Sequence, residues 1–334
     1  MLMNRLLVSV FFYCVLFKLN ANAFNPAVIY DTAGKFDKSF SQSVWEGGIS
    51  VYNEKYNTKI VEYTPKNDTQ REQGLTRFAR KNHSPIVVVG SAFSQMLKKV
   101  ALEYPKINFI FIDGDIINLP NVLSLQFAEH EGSFLVGALA ALYSQTHVVG
   151  FIGGMDLPII SKFSCGYKQG VKYVDENAKV LVNVIGSTPA AFSDPVKGQQ
   201  IAKLQIENKV DIIYSAAALS GNGIFQAAKD NGIFGVGVDS NQNYLYPGTI
   251  LTSMVKNTGA LTLQILEEVN KNDYFKGGVY EANLKNNGVY LAVDKYNESV
   301  IVEEKWNKLQ QLKQDIINGK IVVHNFLDNL QCNL

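Results

Sequence analysis

The chain alternates between short, wholly apolar runs and longer stretches that are apolar at every third or fourth position. The short runs are rich in Val, Ile and Phe, as in IVVV, FIFI and VVGFI. Runs of that kind suit strands buried on both faces of a parallel sheet. They predict strands over 27–30, 59–63, 86–89, 108–112, 122–126, 148–152, 180–185, 212–216, 235–238 and 250–254. Helical periodicity predicts helices over 42–56, 69–81, 94–104, 132–145, 163–177, 195–208, 223–230 and 260–270. Regular βα alternation predicts an α/β protein with doubly wound parallel sheets.

Segment 1–23 breaks this rhythm. Arg5 precedes the apolar stretch 6–17, and Ala21-Asn22-Ala23 forms a small-x-small cleavage site. This is the signature of a cleaved signal peptide, too short for a transmembrane helix. Bulky Phe12 and Tyr13 precede Cys14, which speaks against lipid attachment there. The expected destination is the periplasm.

The ~310 residues beyond it exceed what one core usually serves, so two lobes are expected. We assign 24–126 with 251–275 to the first lobe and 127–250 with 276–325 to the second, leaving 326–334 as a tail. Basic and acidic residues number 31 and 30, so there is no electrostatic footprint for nucleic acid. Beyond residue 23 only Cys165 and Cys332 occur. Two cysteines make no disulfide framework, and the polar tail around Cys332 gives little reason to expect a bridge.

Ligands of open α/β sheets bind at the carboxyl ends of the strands. There the sequence places Asp31, Ser91, Asp113, Tyr214, Asp239 and Lys256. Asp31 can accept hydrogen bonds from a ligand or cap backbone amides. Phe40 can offer a flat apolar face or staple the start of a helix that Ser39 or Ser41 caps. Asp194-Pro195 reads as an N-cap and first helical residue. Phe192, just before it, has no such structural duty. Either Phe192 or Tyr214 could oppose Phe40 across a planar ring. Asp239 suits vicinal hydroxyls, and Lys256 a ligand oxygen. Gly221-Asn222-Gly223 lacks the lysine of a phosphate loop and reads as a tight turn. No histidine has a partner at metal-ligand spacing, no nucleophile elbow appears, and no carboxylate pair suggests acid–base work. Of the four histidines only His130, near the lobe crossover, invites attention.

These residues resemble the basic membrane protein (Bmp), or purine nucleoside receptor, family of ABC-transporter substrate-binding proteins. The motifs in order are D-x5-DKSF (31–40), VWEGG (44–48), FID (111–113), EGSFLVG (131–137), GFIGGM (150–155), FSDPxKGQ (192–199), GNG (221–223), GVDSNQ (237–242) and LTSMVK (251–256). The resemblance implies a type I periplasmic binding protein, with two lobes joined by a hinge around an interlobe ligand cleft. It implies a non-enzymatic receptor without metal or cofactor, monomeric, partnered by a membrane permease. Its ligand would be a nucleoside, with purine nucleosides favoured. Phe40 matches the family's stacking ring. Asp31, Asp113, Asp239 and Lys256 match base and ribose contacts. Lys38 is carried with the DKSF motif, and Ser91 lies in the loop facing the base. Residues 217–220 read AALS where the family is glycine-rich, so a flavin or a sugar stands beside the nucleoside as a candidate ligand. A nucleoside hydrolase and a surface antigen or adhesin are rival readings of the same chain.

Overall fold

The computed structural model describes residues 24–32, 34–272 and 275–332. The expected signal peptide therefore lies outside the described residues.

Two six-stranded sheets organise the chain. The first runs β11 (Gly278–Ala282), β5 (Val122–Phe127), β4 (Phe109–Ile112), β3 (Ile86–Val89), β1 (Ala27–Ile29), β2 (Val61–Tyr63). The second runs β12 (Val289–Leu291), β10 (Ile250–Lys256), β9 (Phe234–Asp239), β8 (Ile212–Ala216), β6 (Val148–Met155), β7 (Lys179–Gly186). The pairings between these strands are parallel except that of β12 with β10. The helices are α1 (Phe40–Val44), α2 (Ser50–Lys55), α3 (Asp68–Arg80), α4 (Ser94–Glu103), α5 (Glu129–Tyr143), α6 (Pro158–Val174), α7 (Pro195–Glu207), α8 (Gly221–Asp230), α9 (Thr258–Asn272) and α10 (Glu303–Ile317). A π-helical stretch, Trp45–Ile49, joins α1 to α2.

The apolar runs explain the layering. Along β3, Ile86 and Val88 pack with Leu75, Phe78 and Leu97, while Val87 and Val89 join the cluster holding Ile49 and Leu261. A strand whose residues are buried to both sides needs helices on both faces. Each such side chain contributes roughly 1.5–3 kcal/mol through burial.

All ten predicted strands and eight predicted helices are present, with ends shifted by up to five residues. Hydrophobic periodicity missed β11, β12 and α10. The strand order also moves two lobe boundaries. Residues 251–256 lie in β10, between β9 and β12 of the second sheet, not in the first lobe. Residues 278–282 lie in β11, beside β5 of the first sheet, not in the second lobe. The reason is packing. Every residue of β10 is buried, which requires neighbours on both sides, whereas β11 is half-exposed and suits an edge.

Helix α9 does serve the first lobe, as expected. Gly259 lies against Gly47, where an added Cβ would come 3.2 Å from the Gly259 Cα. The chain therefore crosses between lobes at 127–129, 256–258 and 282–289. The crossings are bonded together. Ala128 N–H donates to the Ala282 carbonyl at 2.8 Å, and Asn257 N–H to the Gly288 carbonyl at 2.9 Å.

One covalent link overturns expectation: Cys165 and Cys332 form a disulfide, their Cα atoms 5.4 Å apart. Beyond α10 the tail folds back over α6. There Gln169 exchanges two hydrogen bonds with the His324 backbone, at 2.9 and 2.8 Å. The polar tail thus has a docking surface that local composition does not reveal.

Candidate functional site

The strand ends gather the site. Asp113 directly follows β4 and Asp239 ends β9, each with φ of 63°. Aspartate tolerates this left-handed backbone better than most residues. At the end of β10, Lys256 is 1% exposed, and its Nζ lies 2.6 Å from Asp113 Oδ2 and 2.8 Å from Glu129 Oε1. The other Glu129 oxygen pairs with Lys162 Nζ at 2.7 Å. Lys162 also donates to the Phe127 carbonyl at 2.6 Å. The Lys256 ammonium sits 5.1 Å from the Phe40 ring centroid and 4.8 Å from that of Phe127.

Burial and neighbouring charge pull these groups in opposite directions. Burial acts to discharge Lys256, but Asp113, Glu129 and Asp239 outweigh it and hold the ammonium above the ordinary lysine range. Burial acts to neutralise Glu129, and Lys162 and Lys256 together overcome it and keep the carboxyl well below its usual range. Asp113 goes the other way. Burial pushes it up to about 6 against the pull of Lys256, so it is still ionised near pH 7. Asp239 is raised by burial too, with Lys256 opposing.

The loop before α1 is held by a residue not singled out from the sequence. The Asp37 carboxylate accepts N–H bonds from Ser39, Ser41 and Gln42 at 2.9, 2.8 and 3.0 Å. Asp37, rather than the Ser39 or Ser41 side chain, is the cap. The Ser39 hydroxyl instead donates to Asp239 Oδ2 at 2.9 Å. Lys38 has φ of 58° and an exposed side chain, and its carbonyl accepts from Gln242 Nε2 at 3.0 Å. These contacts join the two lobes.

Asp31 is turned toward its own lobe. Its Oδ1 takes Arg71 Nη2 at 2.7 Å and Thr32 N–H at 2.6 Å. Its Oδ2 lies against Gly90, where φ of 102° and the missing Cβ leave it room. Ser91 follows, exposed, its carbonyl accepting from Ser94 Oγ at 2.8 Å.

The two aromatic candidates part company. Phe192 is half-buried over Gly154, where any Cβ would strike its ring. Tyr214 is fully buried, its ring 5.5 Å from those of Phe151 and Tyr167 and its hydroxyl 3.3 Å from Ser133 Oγ. Tyr214 is therefore a core residue and offers no face to a cleft. Asp194 caps α7 through Lys197 N–H at 2.9 Å, as the sequence predicts. The GNG segment is no turn but the opening of α8, where Gly223 meets the Pro195 carbonyl and Gly198 the Ser220 carbonyl. His130 is largely buried, its Nδ1 has no partner, and burial holds its pKa down to about 4.

So Phe40, Asp113, Asp239 and Lys256 converge, while Asp31, Ser91 and Phe192 stand at strand ends or loops of their own lobes. Glu129, Lys162 and Arg71 went unnoticed in the sequence, though Glu129 lies two residues before the EGSFLVG motif, and Asp37 entered only as part of DKSF. Among the described residues no cluster of His, Cys, Asp and Glu could hold a metal ion, and no helix is long and apolar enough to cross a membrane.

Known proteins resemble the chain over nearly all of its length. Residues 25–325 match the family model described as ABC transporter substrate-binding protein PnrA-like. Basic membrane protein A2 of Borrelia garinii subsp. bavariensis is 31% identical, covering 96% of each chain. The ABC transporter nucleoside-binding protein BmpA of Lactococcus lactis subsp. cremoris is 31% identical over 89% of this chain and 88% of its own. A crystal structure of an ABC transporter solute-binding protein from Aeropyrum pernix superimposes with a TM-score of 0.82 at 26% identity, over 91% of this chain and 95% of that one.

Proposed function

The chain belongs to the PnrA-like (Bmp) family of ABC transporter substrate-binding proteins, and on that premise we propose that it captures nucleosides, purine nucleosides first. Its fold is that of a type I periplasmic binding protein. Such proteins deliver a small molecule to a membrane transporter from outside the cytoplasm. We further place this one in the periplasm, as a monomer that binds without covalent chemistry.

One observation carries the nucleoside reading: the buried ammonium of Lys256 between Phe40 and the strand-end carboxylates Asp113 and Asp239. A nucleoside presents a flat base, ring nitrogens or a carbonyl, and two neighbouring hydroxyls. Phe40 and Phe192 supply faces for stacking, worth roughly 1–3 kcal/mol per base. Asp239 accepts the ribose hydroxyls, and Asp113 and Asp31 take base or ribose donors. Lys38 and Ser91 flank them at the rim. Lys256 donates to a ligand oxygen or nitrogen. Enclosure between the lobes removes water and strengthens each of these bonds. The ligand then shifts the open–closed population by its differential affinity. The Lactococcus relative, by name a nucleoside-binding protein, supports the same reading.

A thermal-shift screen of the chain from Phe24 onward, refolded to strip carried-over ligand, tests it. Binding to the native state raises the melting temperature by mass action. The expected result is a shift with inosine, guanosine or adenosine and none with free bases or pentoses. A shift only with riboflavin or a sugar overturns the nucleoside assignment. No shift with any compound favours a surface antigen.

A further inference from the structure

Glu129 and Lys162 lie outside the set assigned above to the nucleoside, yet their side chains are 1% and 7% exposed. A buried charge is costly unless an opposite charge accompanies it. Here the charges chain together: Lys162 to Glu129, Glu129 to Lys256, Lys256 to Asp113. The lobes share them unequally. Asp113 follows β4 of the first lobe, whereas Glu129 opens α5, Lys162 lies in α6 and Lys256 ends β10, all in the second. Lys256 thus has one contacting counterion on each lobe, with Asp239 of the second lobe acting from beyond ion-pair contact. When the lobes part, the contact to Asp113 is lost and the contact to Glu129 travels with Lys256.

We infer that Glu129, itself held by Lys162, is the standing counterion of Lys256 and positions its ammonium for ligand while the lobes are open. The pair is a positioning pair that touches no ligand. The inference rests on the reading of Lys256 as a ligand contact.

The surroundings leave Lys256 little else in the open state. The groups facing it are Asp113 from β4, Glu129 from α5, Asp239 from β9, and the rings of Phe40, Phe127 and Phe163. Asp239, on the same lobe, makes no ion-pair contact with Lys256 and acts on it only from a distance, whether or not Ser39 of the first lobe holds it. Glu129 faces Lys162 and Lys256, with Tyr214 and His130 nearby. Each Glu129 oxygen serves one lysine, and the Phe127 carbonyl fixes Lys162 from behind. Without Glu129 no carboxylate of the second lobe touches Lys256, and its remaining burial drives the proton off more readily.

Glu129→Gln by itself strands Lys162 as an unpaired buried charge and threatens the fold. The double variant Glu129→Gln/Lys162→Met removes both charges together and is the informative protein. Titrated with adenosine, which does not ionise in this range, the wild type is expected to keep one affinity from about pH 7 to about pH 9, above the range in which Asp113 takes up its proton. The double variant should match it within about threefold at the acid end and lose at least about tenfold at the alkaline end. A profile as flat as the wild type's overturns the inference. A second readout needs no ligand: acetylation of Lys256 against pH, followed by peptide mass spectrometry. Its midpoint should fall by at least about one pH unit in the double variant, and an unmoved midpoint overturns the inference. If the wild type binds no nucleoside, the functional reading fails and the acetylation midpoint alone decides the positioning role.

Discussion

The Ser39 hydroxyl donates to Asp239 Oδ2 at 2.9 Å across a sequence separation of 200 residues. It is free to do so because Asp37 caps the following helix. The bond ties the loop before α1 in the first lobe to the end of β9 in the second. It also occupies the carboxylate oxygen that we assign to the ribose.

Replacing the two partners should therefore have unequal effects. Asp239→Ala removes a charged acceptor, worth about 1.5–3 kcal/mol, and should weaken nucleoside binding roughly 10- to 150-fold. Ser39→Ala removes a competitor for that acceptor and also one neutral interlobe bond; the two effects oppose each other and should leave the affinity within about threefold. Calorimetric titration of both variants decides, and equal losses would argue against the ribose assignment.

The aromatic assignments separate in the same way. Phe40→Ala and Phe192→Ala should each cost about 1–3 kcal/mol of binding. Tyr214→Phe keeps the core ring and should leave affinity within about twofold, while costing about 1 kcal/mol of stability through the lost Ser133 contact. A large affinity loss in Tyr214→Phe would return that residue to the cleft.

His130 makes the fold acid-sensitive in a defined window. Burial holds its folded-state pKa near 4, below the ordinary 6.5. The unfolded chain takes up the proton first, so stability present above pH 6.5 is lost as pH falls toward 4. The loss from this group amounts to about 3 kcal/mol. Urea unfolding at several pH values should show it, and His130→Gln should flatten that part of the profile. An unchanged slope in the variant would assign the acid sensitivity elsewhere.

Breaking the Cys165–Cys332 bridge should loosen the tail. The cysteines stand 167 residues apart, and chain-entropy reasoning assigns a loop of that length about 5 kcal/mol. Local release of the tail from α6 makes the observed loss smaller. The paired Cys165→Ser/Cys332→Ser variant should unfold at lower denaturant and be clipped after α10 by protease. Clipping at the wild-type rate would show that the tail holds without the bridge.

Local pattern carried most of the fold because runs such as IVVV and FIFI admit little besides a doubly buried strand. It failed where pairing across the chain decides. β11 and β12 are short edge strands among glycines and asparagines, and α10 is largely polar, so none announces itself. β10 stays beside β9, the strand before it, and β12 closes its other edge, a pairing that no local pattern announces. At the site, strand-end position picked out Asp113, Asp239 and Lys256, which the fold brings together. Tyr214 falls in the middle of β8 rather than at its end, and its ring packs against Phe151 and Tyr167. Glu129 and Lys162 look like solvated helix charges until their partners are brought to them. Cys332 looks unpaired until the tail is seen lying on α6.

The three crossings between lobes also have a kinematic meaning. One tether would let the lobes tumble relative to each other, and two would let them twist. Three tethers side by side, with Ala128 bonded to Ala282 and Asn257 to Gly288, leave one easy motion, a swing about a single axis. Opening and closing then retrace one arc. Lys256 and Glu129 sit at two of those crossings, where a swing displaces atoms least. The charged floor of the site thus lies beside the axis of the swing, with the Phe40 ring 5.1 Å from its ammonium.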